Sequence, residues 1–206
     1  RTERPPGGTP RPAQRGARRP RRMSDARPDL ALAAYTLADE YRAGQCRALE
    51  GRSWRETWQR LVGELARRRF PGGRLVAAGY RQTEAALAQT AELLADESVP
   101  AIFEAAILAD GVLIRADILE RVAGGDGEPA CWRLIEVKSS TRVKEVHLDD
   151  LALQRHVLVN AGMVVVGCSL MHINTAYTYA GGDIDLEQLF AIDEVSALVQ
   201  HRQHDR

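Results

Sequence analysis

The chain has 206 residues, 45% hydrophobic and 27% charged, enough for one substantial domain with a packed core and ordinary for a soluble globular protein. It contains no apolar run of transmembrane length and no apolar signal segment at its Arg- and Pro-rich start, which argues against a membrane span or a secretory leader. The formal charge is zero, but nine arginines against Glu3 and Asp25 give residues 1–28 a charge of +7, leaving the remainder at −7 and offering little support for broad electrostatic nucleic-acid binding.

The three cysteines, Cys46, Cys131 and Cys168, are widely spaced and odd in number. That argues against a disulfide framework, a zinc ribbon or a four-cysteine iron–sulfur site, and fits a reducing cytoplasm.

Residues 1–28 hold six of the nine prolines and almost no apolar side chains, the composition of a disordered basic tail. Met23 is a candidate natural start within it. From Asp29 the pattern predicts a helix with Leu30, Leu32, Ala33, Tyr35, Leu37 and Tyr41 on one face, stopping at Gly44. A second helix starts at Ser53, with Glu56 completing a capping box, and runs through Leu61, Val62 and Leu65 to Arg67-Arg68-Arg69. Phe70-Pro71-Gly72-Gly73 then breaks the chain. Ala77–Tyr80 is ambiguous. A third helix spans Thr83–Asp96, with Ala86, Leu87, Thr90, Leu93 and Leu94 on one side.

The period then changes. Ala101–Leu108 reads as a strand, Asp110-Gly111 as a hairpin turn, and Val112–Leu119 as the returning strand. Gly124-Gly125-Asp126-Gly127 makes a polar loop rather than a phosphate loop, because it leads into a strand. Trp132–Val137 is the third strand of an antiparallel meander. Leu148–Ala161 is a helix capped by Gly162. Met163–Met171 reads as a strand buried on both faces. Asp183–Phe190 starts another helix, and residues 199–206 read as a frayed end. The expected organisation is an α/β domain over residues 29–198.

The chemistry concentrates between Ala116 and Ser140. Asp117 ends one apolar run, and Glu136 sits inside Leu134-Ile135-Glu136-Val137. A carboxylate among apolar strand residues is costly unless paired or metal-bound. Two on consecutive strands can share a divalent ion, and oxygen ligands favour magnesium or manganese over zinc. Lys138, two residues after Glu136, lies on the same strand face and can hold a water and offset charge growing on a phosphate. The chain has 26 arginines and only two lysines, Lys138 and Lys144, consistent with a position wanting a compact ammonium. The alternative is that Asp117 and Glu136 form strand-end ion pairs with Arg115 or Arg133. Glu104, an acid across the hairpin from Asp117, is a further candidate. His147, His156 and His172 lack metal-ligand spacing. Asn174, Tyr177 and Tyr179 either line a channel or pack at a strand end. Arg142 and Lys144 contact nucleic-acid backbone or stay solvated.

Arg115-Ala116-Asp117-Ile118-Leu119, Leu134-Ile135-Glu136-Val137-Lys138-Ser139-Ser140-Thr141 and Asp150-Leu151-Ala152-Leu153-Gln154 together resemble the PD-(D/E)XK nuclease superfamily, in its RecB-like branch. Val62-Gly63-Glu64-Leu65-Ala66, Phe70-Pro71-Gly72-Gly73 and the Met171–Tyr177 segment are similar to the nuclease-like N-terminal half of a poorly characterised bacterial family. The resemblance covers roughly residues 50–195. It implies a restriction-endonuclease-like core of order α-β-β-β-α-β. It implies Asp117 and Glu136 as magnesium or manganese ligands, the Val137 carbonyl as a third, Lys138 as the catalytic lysine and Gln154 as a supporting glutamine. Where the branch usually carries a tyrosine four residues after that glutamine, this chain has Leu158. Where it usually carries a metal-ligating histidine, it has Glu64. The function implied is a metal-dependent nuclease acting on DNA more readily than RNA, in recombination, repair or defence. The departures keep two alternatives open: an inactive nuclease-fold binding or interaction module, and a fragment of a longer nuclease whose missing half or protein partner grips the substrate.

Overall fold

The computed structural model describes residues 54–123, 130–178 and 183–204. The basic tail, the helix expected over Asp29–Gly44, the Ser53 cap, the Gly124–Gly127 loop and Tyr179 lie outside the described residues.

The described chain is mixed α/β. In order it forms α1 (Trp54–Arg67), β1 (Arg74–Leu75), α2 (Thr83–Ala95), β2 (Ala101–Ala109), β3 (Val112–Val122), β4 (Cys131–Lys138), α3 (Glu145–Asn160), β5 (Val164–Ile173), α4 (Leu186–Leu189), β6 (Phe190–Glu194) and α5 (Ser196–His204). The six strands make one sheet in sequence order. β2, β3 and β4 are antiparallel neighbours, as the meander pattern predicts. β1 joins β2 and β5 joins β4 in parallel, and β6 closes the edge antiparallel to β5.

Two apolar clusters sandwich the sheet. α1 lays Leu61, Val62, Leu65 and Ala66 against Phe103, Ile118, Ile135, Met171 and Ile173 on one face. On the other, α2 and α3 pack Ala86, Leu148, Leu151 and Leu158 against Ile102, Ala116, Leu119 and Leu134. Buried polar groups fix how α2 sits. Thr90 Oγ1 donates to Ala86 O one turn back (2.8 Å) and accepts the Ala106 N–H of β2 (3.0 Å). α2 has no basic residue in its last turn. Arg121 of β3 supplies the cation there: its guanidinium donates to Leu94 O, Asp96 O and Val99 O and stacks 4.4 Å over Trp132.

The β2–β3 hairpin turns at Asp110 (φ 49°) and Gly111 (φ 76°), the paired positive φ of a two-residue turn. Halfway down the hairpin the side-chain alternation breaks. Phe103 and Ile118 are paired and pack under α1. Ala105 and Ala116 are also paired, yet pack on the opposite face. Residues two apart on a regular strand share a face. The phase changes at the skipped position between them, Glu104 opposite Asp117, where Glu104 takes φ 56°. A left-handed glutamate inside a strand is strained, and such residues cluster at functional sites.

Three sequence expectations need correction. β5 is buried along its second half only: Val164 and Val166 are exposed, because α1 covers the far end of the sheet and the β4–β5 register slips at Trp132/Arg133. The helix read over Asp183–Phe190 is a single turn, capped by Asp185 accepting the Glu187 and Gln188 N–H groups, and Phe190 belongs to β6. Instead of fraying from residue 199, the chain forms α5. Val199 is fully buried there, and Arg202 bridges to Asp149 and Glu145 of α3. Short polar helices anchored by ion pairs leave a weak apolar period, which is why α5 was illegible.

Candidate active site

The β3–β4 ladder stops at the Ile118–Ile135 pair. One step further the strands part, and side chains take over the bonding. The Asp117 carboxylate accepts the Val137 N–H through Oδ2 (2.8 Å), so a carboxylate replaces a ladder carbonyl where the strands diverge. Glu136 and Lys138 follow on β4. Lys138 Nζ donates to Glu136 Oε1 (2.7 Å) and to Asp150 Oδ2 (3.3 Å). Gln154, on the inward side of α3, donates through Nε2 to Glu136 Oε2 (2.8 Å). Both Glu136 oxygens are therefore held, and Glu136 is 8% exposed.

The spacing explains the convergence. Glu136 and Lys138 share the β4 face that Leu134 presents to α3. Asp150 and Gln154 are one helical turn apart, so both look from α3 onto that face. α3 starts at Glu145, three residues before the apolar period begins. Its first turn is closed by reciprocal bonds: Lys144 O accepts the His147 N–H (3.0 Å) and His147 Nδ1 accepts the Lys144 N–H (3.3 Å).

The electrostatics are uneven. Burial, then the neighbouring Glu136 charge, push the Asp117 carboxyl well above the usual carboxylate range; the Val137 N–H opposes the rise without cancelling it. Burial opposes the charge on Lys138, but Glu136 and Asp150 outweigh it and raise the ammonium. His147 is lowered, by burial and then by the charges of Lys138 and Lys144. Gln154 Oε1 is buried without a hydrogen-bond partner. Exchanging its oxygen and nitrogen would set two acceptors face to face at Glu136, so the amide orientation is fixed by chemistry.

Of the residues expected from sequence, Asp117, Glu136, Lys138 and Gln154 come together. Val137 contributes its N–H, whereas its carbonyl was the expected ligand atom. Glu104 lies at the edge, 3.9 Å from Arg67 and 3.8 Å from Arg115, and its charge reaches Asp117. Glu64 pairs with Arg60 on its own helix (3.1 Å) and makes no bond to the site acids. Among the described residues, no three His, Cys, Asp or Glu side chains group to hold a metal. Asp117 and Glu136 are not paired with Arg115 or Arg133: those two arginines serve Glu104 and Glu120. Leu158 is fully buried core. His156 contacts Asn160, and His172 contacts Asp193. Asn174 bonds Gln188 O and the Ala176 N–H, and Tyr177 is buried in the α1-side core, so both are strand-end packing.

Three further residues stand at the site without having been assigned these contacts from sequence. Asp150 shares Lys138. Arg115 is pinned by Ala78 O (2.9 and 3.0 Å) and Glu104 O (3.3 Å). Tyr80 lies over Arg115, ring centroid to guanidinium 4.9 Å. An in-strand arginine beside an acid reads as an ordinary ion pair, and Tyr80 sits in a loop without periodicity.

The chain matches no protein-family model, no curated protein and no solved structure. No helix among the described residues is long and apolar enough to cross a membrane.

Proposed function

We propose that the chain is a metal-dependent nuclease of the PD-(D/E)XK type, hydrolysing phosphodiester bonds of nucleic acid, DNA before RNA. The observation that carries the reading is the Asp117–Glu136–Lys138–Gln154 constellation at the point where β3 and β4 part. The order α2-β2-β3-β4-α3-β5 supports it, being that of a restriction-endonuclease-like core.

The donor set fits magnesium or manganese. Asp117 and Glu136 are hard oxygen donors that repel each other, and a divalent cation held by both would relieve that repulsion. Magnesium keeps several of its waters and needs only one or two protein carboxylates besides the substrate phosphate, so two acids suffice. The orphaned Gln154 Oε1 is an acceptor suited to a donating water. When bound, the ion lowers the pKa of water and polarises the phosphoryl oxygen.

The chain's own groups then have separate tasks. Asp117 and Glu136 would hold the ion. Lys138, positively charged and shared by Glu136 and Asp150, orients the attacking water and offsets negative charge growing on the phosphate. Gln154 keeps Glu136 in its rotamer. The Val137 N–H does the same for Asp117.

A second reading is a nuclease-fold module that binds without turnover. It is favoured by Leu158 buried where the branch usually has a tyrosine, and by Glu64 occupied with Arg60. Calorimetric titration with Mn²⁺, paired with cleavage of labelled single- and double-stranded DNA, separates the two. The nuclease reading expects Mn²⁺ binding lost in Asp117→Ala and metal-dependent cleavage lost in Glu136→Ala and Lys138→Ala. Metal binding without cleavage, or cleavage surviving both substitutions, contradicts it.

A further inference from the structure

We infer that Tyr80 and Arg115 form a stacking platform beside Asp117 and Glu136 that takes an unpaired nucleobase, so that the substrate is a single strand or a frayed end. The inference deepens the nuclease reading and rests on it for the identity of the ligand.

Tyr80 is the most exposed of the large hydrophobic side chains among the described residues, at 79%. It is nonetheless fixed in place. One ring face lies against the Arg115 guanidinium at 4.9 Å. That guanidinium is held by three bonds, two to Ala78 O and one to Glu104 O. The loop carrying Tyr80 is tied as well: Ala78 N–H donates to Gln89 Oε1 (3.2 Å), Gly79 N–H to Gln82 Oε1 (3.0 Å), and Gln82 N–H to Gly79 O (2.9 Å). A large aromatic surface presented to solvent on a rigid mount has little ordering entropy left to lose on binding.

Its place is next to the chemistry. Arg115 is two residues before Asp117 on β3, and the charges of Glu104, Asp117 and Glu136 reach the Tyr80 hydroxyl, with Arg115 opposing them. With three acids nearby, the platform suits an uncharged aromatic ring rather than a phosphate. A base meets that description, and it is available only where it is unpaired. Aromatic side chains that stack bases commonly secure single strands without reading sequence, and Arg115 behind the ring adds a cation–π contribution.

The test is binding of a fluorescein-labelled single-stranded oligonucleotide and of a closed dumbbell duplex, in EDTA so that no cleavage intervenes. Single-strand affinity is expected to fall about 5- to 150-fold in Tyr80→Ala. Tyr80→Phe and Tyr80→Trp are expected to hold it near wild type, and dumbbell binding to stay unchanged. Where cleavage is measured with Mg²⁺, the KM for single strands is expected to rise in Tyr80→Ala with kcat largely kept. Unaltered single-strand binding and KM in a cleaving Tyr80→Ala protein overturns the platform and leaves the nuclease reading standing. Equal losses on both ligands, or a Phe variant as weak as Ala, also overturn stacking. Tyr80-dependent single-strand binding in a protein that cleaves nothing supports the platform and refutes the nuclease reading.

Discussion

Asp117→Asn and Glu136→Gln are chemically the same change, and the structure predicts opposite effects on metal-free stability. An asparagine at 117 keeps an oxygen for the Val137 N–H and removes a carboxyl whose ionisation is opposed by burial and by Glu136. The wild-type group has its folded pKa raised above the ordinary 3.8. Between those two values the folded state holds more protons than the unfolded one. Stability is therefore greatest below 3.8 and is lost as pH rises through the raised folded value. Each pKa unit of the rise is worth about 1.4 kcal/mol. Asp117→Asn should thus raise the stability and Tm of the metal-free protein at neutral pH, and change neither near pH 3. Glu136→Gln replaces the charged acceptor of the half-buried Lys138 ammonium by a neutral amide, leaving Asp150 at 3.3 Å as its counter-charge. A cost of about 1–3 kcal/mol follows. Urea or thermal unfolding in EDTA across pH 3–8, followed by circular dichroism, reads both. Two shifts of the same sign, or an Asp117→Asn gain that ignores pH, would refute the electrostatic account. Adding Mg²⁺ should stabilise wild type, by about 2.7 kcal/mol at a hundredfold excess over Kd, and leave Asp117→Asn nearly unmoved.

Other consequences follow from single contacts. Glu104→Gly should be more stable than Glu104→Ala by about 1–2 kcal/mol in chemical denaturation, reversing the usual strand preference, because φ is 56° there. Gly73→Ala should cost about 1–3 kcal/mol, since a Cβ at that position would overlap the Phe103 ring and meet Phe70 O at 3.0 Å. Gln154→Leu should reduce metal-dependent turnover while leaving the far-ultraviolet spectrum unchanged, because it removes the donor that orients Glu136 without emptying the α3–sheet contact.

The site was legible in sequence to the extent that its residues share a strand or a helical turn. Glu136 and Lys138 follow from the two-residue period of β4, and the Asp110-Gly111 turn with the three strand patterns gave the meander. Gln154 was placed by family resemblance, and its Nε2 donates to Glu136 Oε2 at 2.8 Å. What periodicity could not carry was the break in it. The Glu104/Asp117 phase change appears in sequence as a plain apolar strand with an acid, because a positive φ at a non-glycine leaves no residue signature. Tyr80 escaped for a similar reason: its position depends on Arg115 holding the Ala78 carbonyl, a contact between residues 37 apart. Glu64, expected as a ligand, pairs with Arg60 one turn earlier on a part-buried face of α1.

Hydrolysis of a DNA oligonucleotide in ¹⁸O-water tests the central claim most directly, because it reports the attacking nucleophile as well as the cleavage. The account predicts cleavage that requires Mg²⁺ or Mn²⁺, one ¹⁸O on the product phosphate, and a rate about 10²- to 10³-fold lower in Lys138→Ala. Products lacking the label, cleavage undiminished by chelation, or a Lys138→Ala protein as fast as wild type would contradict it.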